Sequence, residues 1–302
     1  MTPAPAPFFA EAAGGPAGGA AFWLGCPDGV CIRIACWRPE GAVRGTVLLF
    51  PGRTEYAEKY GPAAGDLAAR GLATVAIDWR GQGLADRLLD DPRPGYVGRF
   101  SDYQQDVAAV LAAAATLDLP RPFFLLAHSM GGCIGLRALT EGLPVAAAAF
   151  TGPMWGIRLP VPLRPLAYAL AYGGPLLGLG HRLMPSTSRA NYVEAQPFED
   201  NALTTDPAMY RFMQQQLAAH PELGIGGPSL RWLREALAET AALARLPAPA
   251  LPCVTFLGTA EAIVSAPAIR ARMAGWDRGA LELVEGARHE VMMERPEIRA
   301  RV

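Results

Sequence analysis

The chain lacks a charge surplus of either sign: 27 basic and 28 acidic residues leave a formal net charge of -1 over 302 residues. No Lys/Arg-rich run stands among its scattered arginines, so the electrostatic footprint of a nucleic-acid binder is missing and no nucleic-acid partner is expected. Paired cysteines are missing as well. The five cysteines, at positions 26, 31, 36, 133 and 253, are odd in number, contain no C-x-x-C spacing and are followed by no histidine in the 26–36 segment. That excludes a disulfide framework and a zinc knuckle, and it suits free buried thiols in a reducing compartment. The N-terminus has no basic n-region, since its first basic residue is Arg33, which argues against a secretory signal or a basic transit peptide and makes a cytoplasmic location the default expectation. The longest apolar stretch, residues 159–180, is broken by Arg164 and by several prolines and glycines. It is poor material for a membrane span, though suited to lying against lipid. There is no P-loop lysine motif, and Asp86 stands where the third glycine of a dinucleotide fingerprint would follow Gly81-Gln82-Gly83. No cofactor and no metal are therefore expected.

Apolar content of 51% with 18% charged residues indicates a folded chain, long enough for one large α/β domain or two ordinary ones. Residues 1–20 are rich in Ala, Pro and Gly, with Phe8 and Phe9 as their large apolar groups, and read as a loose, flexible arm. Residues 21–38 read as two strands around the turn Pro27-Asp28-Gly29. Beyond them the pattern changes to short buried runs alternating with helices. The runs are Thr46–Phe50, Ala73–Asp78, Phe123–Ala127 and Val145–Phe150, with helical patterns over 56–70, 101–117 and from 129 onward. The alternation stops over residues 154–239, which are proline-rich and then helical with dispersed aromatics, and it resumes with Pro252–Gly258, a helix from about 266 to 273, and a last strand over 281–285. This pattern predicts a mostly parallel sheet with an N-terminal antiparallel hairpin and helices on both faces. The core would comprise 21–153 and 240–302, with 154–239 inserted as a cap.

The organising stretch is Phe123-Phe124-Leu125-Leu126-Ala127-His128-Ser129-Met130-Gly131-Gly132, where a buried run breaks at a serine and resumes as a helix. Small neighbours on both sides suit a sharp strand-to-helix turn that presents the serine hydroxyl. In open parallel sheets ligands gather beyond the carboxyl ends of the strands. Four such loops carry Pro51-Gly52-Arg53, Ser129, Thr259-Ala260-Glu261 and Ala287-Arg288-His289. A serine needs a base within hydrogen-bond reach, and that base needs an orienting acid, so Ser129, His289 and Glu261 form the candidate catalytic set. Asp277 and Glu282 are other carboxylates in the region, but neither follows a buried strand directly. His128 must point away from the hydroxyl of its neighbour and reads as packed; Cys133 reads as packing on the following helix. His181 and His220 fall in the cap as surface or substrate-facing groups.

Taken together, the segments Phe50-Pro51-Gly52-Arg53-Thr54-Glu55, Asp78-Trp79-Arg80-Gly81-Gln82-Gly83, Ala127–Gly132, Asn201-Ala202-Leu203-Thr204-Thr205-Asp206-Pro207 and Gly286-Ala287-Arg288-His289-Glu290 resemble α/β-hydrolases of the monoacylglycerol lipase and bacterial lysophospholipase type, over nearly everything from residue 21 onward. The chain departs from that pattern in having Ala127 for a glycine, Glu261 for the usual aspartate, and Pro51 in the loop after the first parallel strand. The resemblance implies an oxyanion hole from the backbone N–H groups of Met130 and Arg53. It also implies hydrolysis of a carboxylic ester, a lysophospholipid or monoacylglycerol, through an acyl-serine intermediate. A short-chain carboxylesterase, an acyltransferase and a catalytically dead binding protein are the alternatives. The cap's first half, Trp155 to Leu183, is rich in Leu, Pro and aromatics and would accept an acyl chain, with Trp155 as the candidate substrate-binding residue. The expected partner is a lipid-like acyl ester, with transient membrane-surface contact through the cap; the oligomeric state is left open.

Overall fold

The structure is a computed structural model that describes residues 2–41, 43–185 and 187–302. Among the described residues nine strands form one sheet: β1 (Ala4–Ala6), β2 (Ala20–Gly25), β3 (Cys31–Trp37), β4 (Gly45–Phe50), β5 (Leu72–Asp78), β6 (Phe123–His128), β7 (Ala148–Thr151), β8 (Cys253–Gly258) and β9 (Gly279–Val284), in the spatial order β1-β2-β3-β5-β4-β6-β7-β8-β9. The first three strands and the β3–β5 pair are antiparallel, and every pair from β5 through β4 to β9 is parallel. The near-continuous apolar runs of β4, β5 and β6 follow from this placement, because a central parallel strand is covered on both faces. From β4 the chain crosses to β5 on one side, while β6 lies on the other. Strand order thus reverses at β4, and a crevice opens beyond the carboxyl ends of β4 and β6.

The covering helices are α2 (Gly61–Ala68), α3 (Tyr103–Thr116), α4 (Ser129–Thr140), α9 (Ala266–Ala274) and the short α10 (Pro296–Arg299), with a 3-10 turn over Ala57–Tyr60 ahead of α2. Between β7 and β8 lie α5 (Arg164–Leu176), α6 (Tyr192–Ala195), α7 (Pro207–Ala219) and α8 (Leu230–Leu243). Among the described residues no helix is long and apolar enough to cross a membrane.

The N-terminal residues correct the expectation of a loose arm. β1 pairs with β2, and a four-residue helix α1 (Ala10–Ala13) buries Ala13 against the chain at Gly61. The two large apolar groups anchor this segment: Phe8 meets Trp37 edge-on at 5.6 Å and Phe9 stacks on His220 at 3.6 Å. Composition misses this because the remaining hold is made by backbone groups, such as the Pro7 carbonyl accepting from Arg33 at 2.8 Å.

Arg33 is the hub of that region. Fully buried, it pairs with Glu58 at 2.6 Å and with Asp78 at 2.7 Å, while Asp78 also accepts from the N–H groups of Ala57 and Leu84. Removing one member leaves an uncompensated buried charge. Arg33→Met is expected to lower stability by about 3–5 kcal/mol, seen as a reduced urea midpoint with an unchanged slope. A midpoint shift equivalent to under about 1 kcal/mol would contradict this structural role.

Candidate active site

At the end of β6 the backbone of Ser129 turns into the left-handed region, with φ at 49°. For a residue with a side chain this costs roughly 1–2 kcal/mol, and it lifts the hydroxyl above the N-terminus of α4. The turn is possible because its neighbours are small. A Cβ on Gly131 would collide with the carbonyl oxygen of Phe50, and one on Gly132 would lie 2.6 Å from the Pro153 ring. Ala127, where the related pattern has glycine, is fully buried between strand and helix. Met130 follows in the first helical turn, so its N–H has no acceptor within the helix.

Three loops bring their residues to this hydroxyl. His289 places Nε2 at 2.9 Å from the Ser129 Oγ and Nδ1 at 2.6 Å from the Glu261 carboxylate. Glu261 is fixed in turn, its other oxygen accepting from the N–H groups of Ile263 at 2.6 Å and Val264 at 3.1 Å. Burial pushes the Glu261 carboxyl up, but the His289 charge, the hydrogen bond to His289 and the two amide donors outweigh it and hold the group below its ordinary value. It is therefore ionised at neutral pH, the state that orients Nδ1–H toward it and leaves Nε2 to accept from the serine. The loop after β4 supplies the third wall: the Cα of Gly52 is so close that a Cβ on it would lie 3.1 Å from the Ser129 Cβ. This loop is pinned by Gln82, which receives the Thr54 N–H at 2.9 Å and donates to the Gly52 carbonyl at 3.0 Å. Among the described residues the Arg53 N–H has no acceptor. The geometry thus gathers Ser129, His289, Glu261 and the Arg53 loop around one point.

Trp155 is placed elsewhere, which corrects its expected role in substrate binding. Its indole is buried, donates to the Gly132 carbonyl at 3.1 Å, and packs edge-on to Phe150 and stacked on Trp276. Sitting immediately after the β7 turn, it fills the core beneath α4 and does not line the cavity above Ser129. His181 is exposed and His220 is occupied by Phe9 and Glu222; neither lines the cavity. The residues that do include Met154, Ile157, Leu159, Met184, Trp232 and Leu233, around a space of about 320 Å³ reaching Ser129 and His289.

Sequence reasoning missed a buried ionic cluster directly below the site. Lys59, the sole lysine of the chain, lies with Nζ 2.6 Å from both Glu55 and Glu290. His128 faces the same two carboxylates, at 3.3 Å from Glu290 and 3.6 Å from Glu55, while its Nδ1 lies 2.8 Å from the Thr151 carbonyl. Glu55 also accepts from Tyr60 and from the Gly52 N–H. Glu55, His128 and Glu290 converge as three metal-ligand types would, but the cation between the carboxylates is the lysine ammonium. Three of its members adjoin loops of the candidate site: Glu55 follows the Arg53 turn, His128 precedes Ser129, and Glu290 follows His289. The one available signal was the adjacency of charged residues to all three candidate positions.

The chain matches the model of the serine aminopeptidase S33 family over residues 41–296. It is similar to lysophospholipase L2 of Escherichia coli strain K12, with 33% identity over 284 residues, covering 90% of this chain and 82% of that protein. A probable lysophospholipase L2 of Haemophilus influenzae is 28% identical, over 88% of this chain and 83% of its own length. Among solved structures, a soluble variant of monoglyceride lipase from Saccharomyces cerevisiae superposes with a TM-score of 0.70 at 20% identity, covering 90% of this chain and 88% of that one.

The ionic cluster generates a pH dependence. For Glu290, burial raises the carboxyl but Lys59 and His128 more than reverse this, holding it well below its ordinary value. Its stabilisation is therefore complete above the unfolded pKa of about 4.3 and drains away as pH falls toward the depressed folded value. For His128, burial alone would lower the imidazole, yet Glu290 and Glu55 raise it. Its contribution is complete below about pH 6.5 and is lost as pH rises through the raised folded value. Thermal unfolding followed against pH is expected to show the cluster's greatest contribution between those limits. Glu290→Gln should lower the melting temperature within that window and flatten the acid limb; an acid limb as steep as the parent's would refute the assignment.

Proposed function

This chain belongs to the serine aminopeptidase S33 family of α/β-hydrolases, and on that premise we propose that it hydrolyses the ester of a single-acyl lipid, a lysophospholipid or monoacylglycerol, through an acyl-Ser129 intermediate. The observation that carries this reading is the continuous relay from the Ser129 Oγ through His289 to Glu261, at 2.9 and 2.6 Å. As the hydroxyl attacks the ester carbonyl, His289 Nε2 takes its proton and the Glu261 carboxylate stabilises the resulting imidazolium. The negative charge developing on the carbonyl oxygen is met by the N–H groups of Arg53 and Met130, at the positive end of α4. His289 then returns its proton to the departing alkoxide, releasing the alcohol and leaving the acyl group on Ser129. Water attacks the acyl-serine, His289 accepting its proton, and the tetrahedral intermediate collapses to free carboxylate as the proton passes back to Ser129 Oγ.

An ester fits the cavity better than the N-terminus of a peptide. An aminopeptidase subsite needs a free carboxylate for the substrate ammonium, and Glu55 and Glu290 are already paired with Lys59, with His128 facing the second Glu290 oxygen. The remaining wall is largely apolar and suits an acyl chain, each buried methylene contributing about 0.8 kcal/mol. The names of the relatives, lysophospholipase and monoglyceride lipase, point to the same substrate class.

We take residues 154–239 as the cap, and its outer face fits a bilayer surface. α5 is inverted relative to an ordinary surface helix. It turns the small residues Ala167, Ala171 and Gly174 inward, with Gly174 against Leu230 of α8, while Leu166, Tyr168, Tyr172 and Leu176 are exposed. Val161, Leu163 and Leu177 extend this exposed apolar surface. Large contiguous apolar surfaces of this kind mark interaction sites, and a substrate that resides in a bilayer supplies the occupant.

Labelling with a fluorophosphonate is expected to modify Ser129, and Ser129→Ala should abolish both labelling and turnover of lysophosphatidylcholine and monoacylglycerol. Surviving ester hydrolysis in that variant would move the nucleophile elsewhere. Glu261→Gln should reduce kcat by about 10⁴-fold, as loss of the orienting acid does in such triads; unchanged turnover would assign the acid to another carboxylate. Sedimentation with lipid vesicles should fall for Leu176→Glu/Leu177→Glu protein while hydrolysis of a water-soluble p-nitrophenyl ester persists. Equal vesicle binding by the two proteins would refute docking through α5.

A further inference from the structure

The cavity holds a cation that the proposed mechanism leaves idle. The Arg53 side chain runs along the wall, its Nη1 donating to the Gly226 carbonyl at 2.8 Å and its guanidinium lying 5.5 Å from the centroid of the Trp232 ring. Gly95 brings bare backbone against it, and a Cβ there would stand 3.2 Å from the same nitrogen. Among the described residues no carboxylate comes within ion-pair distance of Arg53. Glu55, the natural partner by proximity in sequence, is directed instead to Lys59, Tyr60 and the Gly52 N–H. Of the other basic residues on the described cavity wall, Lys59 is held between Glu55 and Glu290, and His289 is paired with Glu261.

A guanidinium carries five N–H donors in a planar fork, and the hydrogen bond to Gly226 uses one of its nitrogens. Holding such a charge in a largely apolar cavity is unfavourable unless a counter-charge arrives. The desolvation is strong enough to pull the Arg53 pKa down to about 10, which still leaves it charged at neutral pH. The stack on Trp232 keeps the group in place without neutralising it. Position adds a second constraint. The same residue offers its backbone N–H to the reacting carbonyl, so the guanidinium lies within one side-chain length of the ester. In a lysophospholipid the phosphate sits one glycerol unit from that ester; in a monoacylglycerol the corresponding group is a neutral hydroxyl.

We propose that Arg53 is a specificity-determining residue that pairs with the phosphate of a lysophospholipid and so favours phosphate-bearing mono-acyl lipids over neutral ones. The assignment rests on the ester-hydrolase reading of the same site, and it adds the group that distinguishes the two substrate classes. A bidentate pairing of guanidinium with phosphate oxygens is available to arginine and not to lysine. Substitution of the side chain leaves the backbone donor at position 53 in the chain, so discrimination between lipids can be read apart from any common loss of rate.

Turnover of palmitoyl lysophosphatidylcholine and of monopalmitoylglycerol should be compared in the parent protein and in Arg53→Met and Arg53→Lys. The ratio of kcat/KM for the phospholipid over the neutral lipid is expected to fall about 10- to 100-fold in Arg53→Met, the size of a lost charge-assisted hydrogen bond, and by less in Arg53→Lys. An unchanged ratio, whatever the absolute rates, would overturn the proposal. A binding measurement in the Ser129→Ala background separates it from the hydrolase reading, using hexadecylphosphocholine and 1-O-hexadecylglycerol as non-hydrolysable probes. Arg53→Met should weaken the first relative to the second by about tenfold or more; equal weakening would overturn the role of Arg53. If the parent protein hydrolyses neither lipid, the hydrolase reading fails, and this binding difference still decides whether Arg53 holds a lipid phosphate. Inorganic phosphate should displace hexadecylphosphocholine poorly. Displacement as effective as that by unlabelled hexadecylphosphocholine would make this a site for free phosphate and overturn the lipid assignment.

Discussion

The single lysine of the chain, Lys59, holds the candidate site together from below. Its ammonium bridges Glu55 and Glu290 at 2.6 Å each, and His128 closes the group from the end of β6. With His128 protonated, two carboxylates face two cations and the buried cluster is neutral as a whole. Cutting any one member leaves its partners buried and uncompensated, which is far more costly than losing an exposed pair. Glu55 lies two residues from Arg53, His128 directly precedes Ser129 and Glu290 directly follows His289, so the register of these three candidate positions is tied to one electrostatic knot. A second knot, Arg33 with Glu58 and Asp78, fixes the adjacent 3-10 turn and the N-terminal strand.

Above this base the site is divided by dielectric and charge. Carboxylates on the Lys59 side are paired, and the Glu261 carboxylate is held by His289 and two amide donors. Arg53 alone among the basic residues of the wall has no carboxylate partner among the described residues. Another part of the cavity wall is lined by methionine, leucine and isoleucine, and the α5 face outside it exposes leucines and tyrosines over a backbone of small inward residues. These features describe a path from an apolar surface to a polarising point flanked by a cation.

Much of the frame was legible because it rests on local pattern. Buried strands betray themselves as short runs dominated by Val, Leu, Ile, Phe and Ala, and seven of the nine described strands fall on such runs or on the hairpin around Pro27-Asp28-Gly29, with β9 legible from the alternation of Leu281-Glu282-Leu283. Ser129, Glu261 and His289 were likewise legible as residues just beyond three of those runs, and the structure brings them within hydrogen-bond distance. β1 was not, since three residues of Ala-Pro-Ala carry no strand signal and pair only through backbone. Nor was Trp155: an aromatic at the start of an apolar segment reads as substrate-facing, but its indole N–H found the Gly132 carbonyl in the core.

The order of strands and helices and the residue types at the ends of the strands were determined by the sequence alone, because period, turn chemistry and a serine between small residues act over a few neighbours. Which way each side chain faces was decided by tertiary structure. Arg53 and Glu55 are two residues apart and opposite in charge, yet one points to Trp232 and Gly226 while the other joins Lys59 and Glu290. Lys59 is a near neighbour in sequence, but Gly226, Trp232 and Glu290 come from segments more than a hundred residues away. Such contacts depend on strand order and on burial of charge, and short-range pattern contains neither.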